Sequence, residues 1–105
     1  MAEIHAADKL GLNVSSTANE PGFDALDTQG RRYQIKYRSP GTQNIDVNNF
    51  NFDFLVLVGF DDDCALEGMW LTTVEEVKAI CVRREKFRKS QTTQDKFKRI
   101  AKRIV

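Results

Sequence analysis

The sequence predicts an α/β (α+β) domain built on a central mixed β-sheet of three to four strands flanked by helices. Three observations lead there. Residues 31–38 alternate, with Tyr33, Ile35 and Tyr37 on one side and Gln34, Lys36 and Arg38 on the other, the period of a half-buried strand. Residues 52–61 form a nearly continuous apolar run, the pattern of a strand covered on both faces. Helix formers precede these segments, and a capping signal follows them.

Taken in order, residues 2–10 favour a short helix, and Gly11 is a stop signal. Residues 13–22 collect Ser, Thr, Asn, Pro and Gly and read as loop. A strand is expected over 23–27, followed by the turn Asp27-Thr28-Gln29-Gly30 and the strand 31–38. Ser39-Pro40-Gly41 ends that strand, and a polar loop runs to about Asn51. The apolar strand 52–61 is followed by Asp61-Asp62-Asp63, read as a solvated turn, and by a short strand over 68–72. Thr73-Val74-Glu75-Glu76 has the form of a capping box. The helix it opens buries Val74, Val77 and Cys81 and is expected to reach about Lys86. After an interruption at 90–93, a last helix places Phe97, Ile100, Ala101, Ile104 and Val105 on one stripe, a surface suited to a homodimer.

A chain of 105 residues allows a single compact domain with one core, residues 83–105 being its basic helical end. With 41% apolar and 30% charged residues it reads as globular and soluble. No run approaches the ~18 apolar residues of a membrane span. The first residues carry no secretory signal pattern. Cys64 and Cys81 form no CxxC pair, so a zinc site is poorly supported. They read as reduced thiols of a cytoplasmic protein, Cys81 in the core, with a single disulfide still open.

The residues that carry chemistry are Asp24 and the Gln34-Ile35-Lys36 segment. Gln34 and Lys36 are two apart on one strand and share a face. Asp24 joins them only in one register. A two-residue loop sets Asp24 opposite Tyr33, on the wrong face. A three-residue loop, Thr28-Gln29-Gly30 with Gly30 left-handed, makes it the partner of Gln34. The position of Gly30 predicts the second register.

This arrangement resembles the PD-(D/E)xK nuclease superfamily, the restriction-endonuclease-like fold. It looks most like the branch with Gln in the middle position, such as Mrr-type nucleases. The resemblance covers roughly residues 3–80 and implies catalytic roles for Glu3, Asp24, Gln34 and Lys36. It implies a divalent ion, Mg²⁺ or Mn²⁺, held by Asp24, the Gln34 amide, the Ile35 carbonyl and Glu3, all hard oxygen donors. Lys36 would orient the attacking water and offset charge on the phosphoryl group. Gln in place of an acid removes one negative charge and predicts weaker metal binding. The implied activity is metal-dependent hydrolysis of DNA phosphodiester bonds. The alternative is a catalytically inactive binding module that keeps the fold. His5 reads as a solvated helix residue.

The net charge of +1 conceals a segregation. Residues 1–82 carry 6 basic and 13 acidic groups, while residues 83–105 carry 10 basic and 2 acidic ones. Such asymmetry points to a polyanion partner, here duplex or branched DNA. The candidate phosphate contacts are Arg83, Arg84, Lys86, Arg88 and Lys89, then Lys96, Lys98, Arg99, Lys102 and Arg103. Arg31, Arg32 and Arg38 are expected beside the site. Phe87 and Phe97 are assigned to the core, so little base stacking is expected.

Overall fold

The structure, a computed structural model, describes the backbone of residues 2–14 and 23–105 and the side chains of residues 5–13 and 23–105. Helix α1 (Ala2–Leu10) is followed by β1 (Asn13–Val14), β2 (Ala25–Leu26), β3 (Arg32–Arg38), β4 (Asn44–Val47), β5 (Phe54–Phe60) and β6 (Leu66–Thr73). Then come α2 (Val74–Ile80), β7 (Val82–Arg84), a 3₁₀ turn (Glu85–Phe87), β8 (Lys89–Thr93), α3 (Gln94–Ile100) and β9 (Lys102–Arg103).

The α/β class holds, with a mixed sheet flanked by helices. The sheet is larger than the expected three to four strands. Six strands lie in the order β1-β2-β3-β5-β6-β9, and three more form a second sheet, β4-β8-β7. Among the described residues, only β3 and β5 run parallel; the other pairs are antiparallel. Strand β5 is buried on both faces, as its apolar run requires, and it separates two cores. Val56 and Val58 face Ala6, Leu12, Ala25, Tyr33 and Ile35 beneath α1. Leu55 and Leu57 face Ile45, Val47, Phe52, Trp70, Val77 and Phe97, which join the second sheet and the two later helices to the first.

The Thr73 capping box forms in full: Glu76 N–H donates to Thr73 Oγ1, and Thr73 N–H donates to Glu76 Oε1. Yet α2 ends at Ile80, short of the expected Lys86, because Cys81 turns extended (φ −82, ψ 142). Residues 82–93 are a β-hairpin rather than a basic helix. The side of β8 that turns inward is Ser90 and Thr92, so no apolar alternation marks it in the sequence.

The last helix is also corrected. It stops at Ile100, and the chain then pairs along β6, with Ile104 N–H on Met69 C=O at 2.8 Å. The expected stripe therefore divides: Phe97 fills one core, Ile104 packs on the other, and Val105 is exposed. No continuous helical face remains from it for a dimer. Gly68 matters here, because a Cβ at that position would sit 2.9 Å from the Trp70 ring and 3.1 Å from Val105 O. Among the described residues, no helix is long and apolar enough to cross a membrane.

Candidate functional site

The geometry begins with the turn between β2 and β3. Gly30 is left-handed (φ +78), and Asp27 N–H meets Arg31 C=O at 3.0 Å, closing a loop of Thr28, Gln29 and Gly30. Asp27 organises it. One carboxylate oxygen accepts the Gln29 and Arg31 N–H groups, and the other accepts Arg31 Nε at 2.6 Å and the Tyr33 hydroxyl at 3.1 Å. Burial pushes the Asp27 carboxyl up, but those hydrogen bonds outweigh it and bring its pKa down to about 2.

The loop fixes the pairs Ala25 with Tyr33 and Leu26 with Arg32. One further step sets Asp24 level with Gln34, the register expected from Gly30. Asp24 Oδ2 accepts the Ile35 N–H at 2.8 Å and Gln34 Nε2 at 3.1 Å. The carboxylate thus takes over the ladder where β2 stops. The Gln34 amide turns its NH₂ to Asp24 because an ionised carboxylate only accepts.

Asp24, Gln34 and Lys36 line one pocket of about 200 Å³. Its other walls are Phe23 and the segment Val47-Asn48-Asn49. That second wall was not legible in the sequence, because β4 lies in what reads as a polar loop. The signal was the Ile45/Val47 alternation, two buried residues that seat β4 on the core. Lys36 is half-buried and makes no ion pair among the described residues. Burial lowers its pKa, and the Arg38 charge lowers it further, against smaller opposing effects of Asp24 and Asp46.

The other expected site residues are dispersed. Glu3 lies on α1, but its side chain falls outside the described residues. Arg31 is not beside the pocket. Its guanidinium binds Asp27 and sits 5.3 Å from the centre of the Phe54 ring, which packs with Tyr33 on the α1 face. Arg32 and Arg38 do share the strand face of Gln34 and Lys36. Arg32 is paired with Asp53 at 3.3 Å, and Arg38 Nε donates to Asn44 C=O at 2.8 Å.

In the basic end, Arg83 pairs with Glu85, Lys89 with Asp46, and Arg103 donates to Val105 and Glu67 carbonyls. Lys98 and Arg103 lie over the Trp70 ring. Arg84, Lys86, Arg88, Lys96, Arg99 and Lys102 have no acidic partner among the described residues. Phe97 is core, as expected, whereas Phe87 is 60% exposed. Both cysteines are free, Cys64 exposed and Cys81 half-buried. Asp61 accepts the Asp63 and Ala65 N–H groups, so the acidic run is a hydrogen-bonded turn.

The donor set suits a hard, hydrated cation. Asp24 offers a carboxylate, Gln34 an amide oxygen, and Ile35 a carbonyl that leaves the strand on the same side as its N–H. It contains one acid where two would bind more tightly. Among the described residues, no group of three His, Cys, Asp or Glu side chains gathers as a metal cluster. No family model matches the chain, and no curated protein matches its sequence.

Proposed function

We propose that this protein is a metal-dependent nuclease that hydrolyses DNA phosphodiester bonds, with a restriction-endonuclease-like site of the QxK type. The observation that supports it is the convergence of Asp24, Gln34 and Lys36 on one polar pocket. A Mg²⁺ or Mn²⁺ ion held by Asp24, Gln34 and the Ile35 carbonyl would supply Lewis acidity at the phosphate. Asp24 holds its position because Ile35 N–H and Gln34 anchor one of its oxygens. Lys36 presents an ammonium to the phosphoryl oxygens and offsets charge in the transition state. Its partial burial strengthens that effect by removing competing water. Arg38, on the same strand face, adds a phosphate contact.

A second reading, an inactive DNA-binding module, is favoured by the single carboxylate of the donor set. Cleavage of plasmid and branched DNA in Mn²⁺ separates the two. Activity in the wild type and its loss in Lys36→Ala supports the nuclease. Equal activity in both refutes the mechanism. Silence in the wild type, restored by Gln34→Glu, identifies a lapsed site. Binding without cleavage in either protein supports the module.

A further inference from the structure

The tip of the β7–β8 hairpin stands in solvent. Every residue from 82 to 88 is exposed, and β7 is an edge strand paired only with β8. Its turn is a 3₁₀ turn over Glu85–Phe87 followed by Arg88 in the left-handed region (φ 53), with Arg88 N–H on Glu85 C=O at 3.1 Å. At this turn Phe87 is 60% exposed and contributes to neither core. Lys86 Nζ and Lys89 Nζ flank its ring at 5.8 and 5.5 Å from the centroid. Residues 83–89 hold five basic side chains and one acid, Glu85. An exposed aromatic ring within a cationic hairpin suits a polyanion that also presents flat apolar faces.

The hairpin is joined to the pocket. Val47, a pocket wall, pairs with Ser90, and Ser90 pairs with Arg83. Strand spacing of about 4.8 Å and a rise of about 3.3 Å per residue set Phe87 roughly 10–15 Å from that wall. At about 3.4 Å per nucleotide, this spans roughly three to four nucleotide steps.

We propose that the Phe87 hairpin takes an unpaired base of forked or gapped DNA by stacking, while Arg84, Lys86 and Arg88, which have no acidic partner among the described residues, hold the adjoining phosphates. This names the substrate class of the proposed nuclease and rests on that reading only for the choice of DNA. The charge of the hairpin argues against an apolar protein partner, which would desolvate those cations without neutralising them.

The test measures binding of the full chain to forked and plain duplex oligonucleotides in EDTA, where no hydrolysis intervenes. The fork carries 2-aminopurine at an unpaired position. The wild type is expected to prefer the fork and to change the 2-aminopurine emission. Phe87→Ala should lose about 5- to 150-fold in fork affinity, the range for one base–aromatic stack, with a smaller loss on duplex. Phe87→Trp should keep both the preference and the emission change. The ring packs in neither core, so Phe87→Ala is expected to fold, which circular dichroism checks. Equal affinity of wild type and Phe87→Ala for the fork overturns the proposal. So does an equal loss on fork and duplex, or a variant altered in self-association instead of DNA binding. Failure of Mn²⁺ cleavage with fork binding intact would refute the nuclease and leave the hairpin standing.

Discussion

Removing the Asp24 carboxylate separates its structural work from its chemical work. In Asp24→Ala the Ile35 N–H, held at 2.8 Å, loses its acceptor, and Gln34 loses a partner at 3.1 Å. Leaving a half-buried donor unmet costs about 1–3 kcal/mol. With a urea m-value of about 1–3 kcal/mol/M for a small domain, the midpoint should fall by roughly 1 M. Asp24→Asn differs. With its amide oxygen in the place of Oδ2, Asn still accepts from both Ile35 N–H and Gln34 Nε2. Its stability should therefore stay within about 1 kcal/mol of wild type. Both variants should lose Mn²⁺-dependent plasmid cleavage by about two orders of magnitude or more, because neither supplies an anionic ligand. Urea titration followed by Trp70 fluorescence and a nicking assay read the two effects separately. A wild-type cleavage rate in Asp24→Asn would refute the chemical role. A wild-type midpoint in Asp24→Ala would refute the claim that this carboxylate continues the ladder.

Five further outcomes are expected. Lys36→Met should abolish cleavage yet raise the urea midpoint at neutral pH. Burial disfavours the Lys36 ammonium, so the wild type should regain ground as pH rises toward the ordinary lysine value of about 10.4; a Lys36→Met midpoint below wild type would contradict this. Asp27 has a folded pKa of about 2, so its contribution is full above its ordinary value of about 3.9 and is lost as pH falls from there through about 2. Midpoints of Asp27→Asn should accordingly vary less with pH across that window, and parallel curves would be the contrary result. Phe97→Ala should cost about 3–5 kcal/mol because the ring is wholly buried. For the same reason deletion of residues 83–105 should unfold the protein, whereas neutralising Arg84, Lys86 and Arg88 should leave thermal stability nearly intact and flatten the salt dependence of DNA binding.

Local chemistry was legible wherever short-range rules decide the outcome. Gly30 at the third loop position determined the β2–β3 register, and with it the meeting of Asp24 and Gln34. The Thr73 capping box marked the start of α2, and the apolar run of residues 54–60 marked a strand buried on both faces. These signals act within a few residues, so one sequence window contains them. What only the tertiary structure decided was the fate of segments whose burial is polar or divided. Ser90 and Thr92 turn inward without apolar alternation, so β8 read as an interruption between helices and β7 as the basic end of the first. Phe97 and Ile104 look like one helical stripe but serve opposite faces of the sheet. The pocket's far wall, Asn48 and Asn49, follows from β4 docking beside β8, a pairing across more than forty residues. Phe87 shows the same limit most clearly: its apolar side chain suggests a core residue, and only the placement of the hairpin leaves it in solvent.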